Sequence, residues 1–147
     1  MKNQILRNTA ILGLFFMLVI ANVNAQTASE VKVNIPFDFS TGKATLKAGS
    51  YTIKRTSGSV LALRSTDGKT TALVNAPLTI GSRDSKSGER LVFNKYGDQY
   101  FLSQVWLSVD TGRQLFTSGA ETKAARDYRL ANNNAKPQRV EVAMQSR

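Results

Sequence analysis

The stretch EVKVNIPFDFS, residues 30–40, decides the fold class of this chain. Apolar side chains occupy every second position from Val31 to Phe39 and alternate with Lys32, Asn34, Pro36 and Asp38. A period of two over nine residues is typical of a β-strand with one buried face. Pro36 has no N–H group to donate to a neighbouring strand, so we expect an edge strand or a bulge here.

Further short apolar segments follow, and turn-forming residues separate them. We predict strands at Ser50–Thr56, Val60–Ser65, Thr70–Ile80, Arg90–Tyr96, Gln99–Ser108 and Arg113–Phe116. Pro77 is expected to shorten the predicted strand Thr70–Ile80. Asp67-Gly68 is the strongest hairpin signal, because both residue types tolerate the positive φ angles of a tight turn. Gln99–Ser108 is apolar on both faces, which predicts a central strand covered on both sides.

The residue pattern changes from strand-like to helical after residue 117. Ser118 and Glu121 match a capping box, and alanines then recur at helical spacing, so we predict a helix over residues 119–131. Residues 132–147 form a polar tail that we expect to be flexible, and residues 140–144 form either a last edge strand or no regular structure. The pattern predicts an all-β fold: an antiparallel sandwich or small open barrel of six to seven strands with a short C-terminal helix.

The first 25 residues have the three parts of a secretory signal peptide. Lys2 and Arg7 precede the uncharged run AILGLFFMLVI at residues 10–20, and small side chains at Val23 and Ala25 suit signal peptidase. We therefore predict cleavage between Ala25 and Gln26 and export to the periplasm or the extracellular space. An apolar run of eleven residues is shorter than the roughly 20 that a transmembrane helix needs, so we expect no membrane span after cleavage.

Cleavage would leave 122 residues, with one β-domain over residues 26–131. The signal holds two of the 20 Lys and Arg residues and none of the ten acids, so the mature net charge is +8. This charge favours an anionic partner, although it is also ordinary for a soluble domain. We expect an acidic polysaccharide or another envelope component rather than nucleic acid. The chain contains neither Cys nor His, which removes disulfides and the commonest general base and zinc ligand.

Two groups of side chains are candidates for ligand binding: the aromatic Tyr96, Tyr100 and Trp106, and the basic Arg83, Lys86 and Arg90. The aromatic rings would stack on sugars if they were exposed, but at strand spacing they equally suit a core. The basic residues could form an anion site or simply a solvated surface. No phosphate loop or calcium loop is present, and we expect no cofactor, metal site or catalytic residue.

Three runs carry a resemblance to a known family: IPFDF at residues 35–39, AGSYTI at residues 48–53 and YGDQYFLSQVW at residues 96–106. They resemble a family of small exported bacterial proteins of unknown function. The resemblance implies an exported β-domain, and it implies no particular activity.

We favour a non-catalytic exported domain that binds an anionic envelope or extracellular partner. Two alternatives are a structural or assembly component of the cell envelope and a carboxylate-based polysaccharide hydrolase. The hydrolase would need two acids about 5–9.5 Å apart.

Overall fold

The computed structural model describes residues 30–81 and 88–145, which contain two β-sheets and one helix. The strands are β1 (Glu30–Ile35), β2 (Phe39–Ser40), β3 (Thr45–Leu46), β4 (Gly49–Ser57), β5 (Val60–Ser65), β6 (Thr71–Asn75), β7 (Leu78–Gly81), β8 (Arg90–Tyr96), β9 (Gln99–Trp106), β10 (Thr111–Gln114) and β11 (Gln138–Ala143). Helix α1 (Gly119–Ala131) lies between β10 and β11. No helix in this described part of the chain is long and apolar enough to cross a membrane.

The strands form two sheets whose inner faces share one hydrophobic core. Sheet A has the order β1-β4-β5-β6, and all its neighbouring strands are antiparallel. Sheet B has the order β11-β8-β9-β10-β7, and β2 joins it beside β9 and pairs with β3. Both sheets contribute to one core cluster, whose fully buried members include Ile35, Phe39, Ile53, Leu61, Leu63, Leu91, Phe93 and Val105. The predicted all-β class, sandwich form and C-terminal helix are confirmed.

The run at residues 30–40 forms two strands in two sheets rather than one strand. The predicted alternation holds in β1, where Val31, Val33 and Ile35 are buried and the residues between them are exposed. Pro36 ends β1 because it cannot extend the hydrogen-bond ladder. The chain then crosses to sheet B as β2, and Phe39 is buried in the same core. The expectation that β1 is an edge strand is confirmed.

The predicted strand at residues 70–80 is divided in the same way. β6 is the last strand of sheet A and β7 is the last strand of sheet B, with Ala76 and Pro77 between them. Pro77 therefore separates two strands instead of shortening one. These two divisions, the short strand β3 and the C-terminal strand β11 explain why the described residues contain eleven strands and not six or seven.

The C-terminal part begins as the sequence predicts and then departs from it. α1 spans Gly119–Ala131, and the Ser118 Oγ accepts a hydrogen bond from the Glu121 N–H at 3.1 Å. In a complete capping box the Glu121 carboxylate would also accept from the Ser118 N–H. Here that carboxylate turns toward β8 and accepts a hydrogen bond from Asn94 at 2.8 Å. Residues 138–143 of the predicted flexible tail form β11 because their backbone pairs antiparallel with β8. Of the two alternatives for residues 140–144, the structure therefore shows the last edge strand.

Strand β9 is covered on both faces, as its sequence predicts. Leu102 and Val105 lie in the core between the sheets, whereas Phe101 and Trp106 are buried on the outer face of sheet B. Helix α1 covers part of that outer face and packs against β8. Sheet B is thus a middle layer, while the outer face of sheet A carries alternating exposed residues along each strand.

Candidate functional site

Two of the predicted site residues, Trp106 and Arg90, meet on the outer face of sheet B. The Arg90 Cζ lies 4.3 Å from the centroid of the Trp106 ring, and both residues are buried, at 8% and 4% exposure. The Arg90 Nη1 donates to the Gly88 carbonyl at 3.0 Å, and its Nε lies 3.5 Å from a Glu141 carboxylate oxygen. The Trp106 Nε1 donates to Gln104 at 3.1 Å. The Arg90 Nε has no hydrogen-bond partner among the described residues, but both side chains are buried against each other, which agrees with the interpretation of Trp106 as a core residue.

Tyr96 lies between sheet B and helix α1. Its ring contacts Phe101 and Tyr128 edge-on, with centroid distances of 5.9 and 6.0 Å. Its hydroxyl lies 3.4 Å from the Glu121 carboxylate. Partial burial, and then the neighbouring negative charge of Glu121, raise the pKa of the Tyr96 hydroxyl. Tyr96 therefore joins the helix to the sheet and keeps its proton at neutral pH.

Tyr100 lies on the opposite face of sheet B from Tyr96. Its ring stacks on Phe37 at a centroid distance of 3.8 Å with an interplanar angle of 12°. The Lys95 ammonium lies 5.4 Å from the Tyr100 ring centroid. The structure thus separates Tyr100 from Tyr96 and Trp106, and these three aromatic residues do not form one stacking platform. Arg83 and Lys86, together with the predicted cleavage site at Ala25 and Gln26, lie outside the described residues.

The outer face of sheet A carries an open surface. A groove with a volume of ≈ 730 Å³ runs across this face; we call it the sheet A groove. Its lining includes three basic side chains on three adjacent strands: Lys32 on β1, Lys54 on β4 and Arg64 on β5.

Strand register explains why these three residues share one face. Lys32 pairs with Thr52, Thr52 pairs with Arg64, and Arg64 pairs with Thr71, so the four side chains form one row across the sheet. Directly paired residues of antiparallel strands point to the same side of the sheet. With strands about 4.8 Å apart, Lys32 and Arg64 stand about 10 Å from each other across the row. The next row contains Glu30, Lys54, Ala62 and Leu73.

The two acids that line the sheet A groove are already engaged. Glu30 forms a salt bridge with Lys54 at 3.3 Å. Asp67 accepts hydrogen bonds from the Ser65 hydroxyl at 2.5 Å and from the Lys69 N–H at 3.1 Å. The Ser65 hydrogen bond, and then the Lys69 backbone bond, lower the pKa of the Asp67 carboxyl. Asp67 thus holds the predicted hairpin turn.

Lys32 and Arg64 are the cations of the groove with the greatest freedom to bind an anion. Among residues 30–81 and 88–145, no carboxylate forms a salt bridge with either of them. Gly68 lies beside the Arg64 guanidinium, since a Cβ atom at Gly68 would lie 3.5 Å from its Nη2. The guanidinium is therefore placed over the turn at the end of the groove.

Polar side chains extend the groove around Thr66. A second depression of ≈ 700 Å³ and a third of ≈ 290 Å³ adjoin it, and Thr66 lines all three. The Thr66 hydroxyl donates to the Ser50 carbonyl at 3.0 Å, and the Ser50 hydroxyl donates to Asn34 at 3.3 Å. The whole surface thus presents cations, hydroxyls and an amide, which are the groups that recognise carboxylate or sulfate oxygens and sugar hydroxyls.

Sequence reasoning missed this surface for a physical reason. The alternation in β1 and β4 marks Lys32, Asn34 and Lys54 as solvent-facing, and this signal was available from the sequence. Their convergence with Arg64 depends on the register between strands, which the alternation within one strand does not specify.

No group of three acidic residues in the described part of the chain is arranged to hold a metal ion. No family model, curated protein or solved structure matches this chain in the comparisons with known proteins.

Proposed function

We propose that this protein is an exported, non-catalytic β-domain that binds an anionic envelope or extracellular polymer through the sheet A groove. The observation that carries the proposal is the row of Lys32, Thr52, Arg64 and Thr71 across three strand interfaces, with Lys54 beside it. An open groove on a rigid sheet suits an extended chain better than a small enclosed molecule. An acidic polysaccharide is the polymer whose carboxylates and hydroxyls match these side chains.

Charge and protonation support binding rather than acid–base chemistry in the groove. A general acid needs a raised pKa so that it holds a proton near neutral pH. The pKa of Asp67 is shifted in the opposite direction, and Glu30 is paired with Lys54. Both acids support local structure, and Lys32 and Arg64, which form no salt bridge with any described carboxylate, provide the attraction for a polyanion.

Export is part of the same proposal and rests on the N-terminal pattern of Lys2, Arg7 and the apolar run at residues 10–20. N-terminal sequencing of the protein recovered from an expressing bacterium tests it. We expect the mature chain to begin at Gln26 and to be recovered outside the cytoplasm. Recovery of the uncleaved chain in the cytoplasm would contradict the export prediction. It would not test the binding prediction.

Binding is tested with immobilised heparin and polygalacturonate, and with neutral dextran as the uncharged polymer. The groove variant carries Lys32→Gln, Lys54→Gln and Arg64→Gln. The matched control carries Lys43→Gln, Lys123→Gln and Arg126→Gln, which remove the same three charges from exposed positions away from the groove.

The groove variant should bind the acidic polymers about 3- to 100-fold more weakly than wild type, because each exposed ionic contact contributes about 0.2–1 kcal/mol. The control should lose much less affinity. Wild-type binding should weaken as salt rises from about 0.1 M to 1 M, where the screening length falls from about 10 Å to 3 Å. Equal losses in the two variants would show that net charge, not the groove, causes binding, and an absence of binding at low salt would reject the proposal.

A structural or assembly role in the envelope is the second candidate. The observation that favours it is the bare strand edge formed by β6, because unpaired backbone groups at a sheet edge can bind another strand.

A further inference from the structure

Among the described residues, the main strand order of each sheet ends in one protected edge strand and one edge strand that no other segment covers. At the protected edge of sheet A, the N–H of Gln145 donates to the Lys32 carbonyl at 2.9 Å. At the protected edge of sheet B, β11 carries Arg139 and Glu141. Charged side chains and covering segments are the usual means by which edge strands avoid pairing with other chains. The opposite edges, β6 and β7, have no such protection within the described residues.

The bare edges belong to one uncharged segment. Residues 70–82, TTALVNAPLTIGS, are the longest run without a charged residue after residue 25. In a mature chain of net charge +8, this run is the place where two copies can approach with the least repulsion. It also carries exposed apolar side chains, since Leu73 is 69% exposed and Leu78 is 46% exposed.

The hydrogen bonds of β6 show which of its backbone groups are free. The Ala76 N–H donates to the Ser59 carbonyl at 2.8 Å, and the Thr70 carbonyl accepts from the Ser65 N–H at 2.9 Å. Backbone groups of alternate residues point to the same edge of a strand, so even-numbered residues of β6 bond to β5. The N–H and C=O groups of Thr71, Leu73 and Asn75 therefore point away from β5.

We propose that a second copy of this chain pairs with the bare edge of β6, antiparallel and about a two-fold axis at Leu73. Leu73 then faces Leu73 of the second copy, and Thr71 faces Asn75. This register forms about six backbone hydrogen bonds, two for each hydrogen-bonded pair. It joins the two four-stranded sheets into one continuous sheet. Because Leu73 shares a row with Lys54 of the sheet A groove, the two grooves lie side by side on the outer face of the dimer.

The pairing does not depend on polymer binding, and it is tested on the mature protein alone. Sedimentation equilibrium at concentrations up to about 100 µM covers the range of a weak interface. We expect wild type to reach twice the monomer mass. Leu73→Lys places two like charges across the axis and should reduce the protein to a monomer. Leu130→Lys is the matched control, because Leu130 is 77% exposed on helix α1, and it should remain dimeric.

A disulfide test checks the register itself. The chain has no cysteine, so one introduced thiol can only pair with its own copy. Residues opposite each other in a hydrogen-bonded antiparallel pair have Cα atoms about 5.5 Å apart, which is within the range of a disulfide. Under mild oxidation Leu73→Cys should form a covalent dimer rapidly and Leu130→Cys slowly. A monomeric wild type at every concentration, a dimeric Leu73→Lys variant or equal cross-linking of the two cysteines would overturn the proposal.

Discussion

Substitution of Gly112 by alanine tests how the outer face of sheet B is packed. Gly112 on β10 lies directly under the Trp106 ring, and a Cβ atom there would lie 2.5 Å from Cδ2 and 2.7 Å from both Cε2 and Cε3. Carbon atoms in contact prefer about 3.5–4.0 Å, so the ring must move. The Arg90 guanidinium also lies over this ring, with its Cζ 4.3 Å from the centroid, so a shift of the ring must displace a buried neighbour.

The expected cost is that of overpacking a buried site, about 1–3 kcal/mol. For a domain of this size, each kcal/mol lowers the melting temperature by about 4 °C, so Gly112→Ala should melt about 4–12 °C below wild type. Trp106 is the only tryptophan, so its fluorescence reports directly on this site, and circular dichroism follows the whole domain. Both measurements should give the same lowered transition.

Gly81→Ala is the matched control on the neighbouring strand β7. A Cβ atom at Gly81 would meet no atom of the described residues within 4 Å, and Gly81 is not among the glycines with positive φ. This substitution should be neutral or stabilise the protein by up to about 1 kcal/mol, since it restricts the unfolded chain. In a Trp106→Leu background, Gly112→Ala should lose most of its effect. Equal melting temperatures for the two alanine variants, or an undiminished effect without the indole ring, would refute the packing argument.

Two further predictions concern local hydrogen bonds. Ser118→Ala removes the acceptor of the Glu121 N–H and should lower the stability by about 1 kcal/mol, or the melting temperature by about 4 °C. Ser118→Asp keeps an acceptor at this position and should retain most of the stability. Equal losses in the two variants would show that the side chain does not cap α1. The hydrogen bond from Lys47, and then the one from the Ala48 N–H, lower the pKa of the Asp38 carboxyl from its ordinary value of 3.8. The ionised Asp38 therefore stabilises the folded protein above pH 3.8, and this stabilisation is lost as the pH falls through the lowered pKa. The melting temperatures of wild type and Asp38→Asn should therefore differ most at neutral pH and converge in acid, and a difference that does not change with pH would contradict this assignment.

Local patterns in the sequence were sufficient for several elements of the fold. The alternation at Val31, Val33 and Ile35 correctly identified the buried face of β1, because side chains of a strand alternate between its faces. The start of α1 followed from Ser118, because a side-chain cap acts on residues only three positions away. β5 and β8 also have the predicted bounds.

The candidate site was the part that local patterns described least well. Tyr96 and Tyr100 flank one turn in the sequence, but they lie on opposite faces of sheet B. Trp106 and Arg90 do meet, but in a buried cluster. Sequence proximity of aromatic residues did not predict a shared surface, because neighbouring strands assign each residue to a face through their register.

The sequence by itself determined where most of the strands lie, where the helix begins and which side chains of β1 avoid water, because these properties depend on contacts within a few residues. It did not predict β3, and it left β11 open, because these strands form only by pairing with distant segments. Only the tertiary structure decided that residues 30–40 and 70–81 each divide between two sheets, since a proline permits such a crossing without specifying its destination. It also decided that Lys32, Lys54 and Arg64 meet in one groove and that no described strand pairs with the outer edge of β6. These outcomes depend on the pairing of strands that are distant in sequence, and that pairing is set by the packing of the shared core.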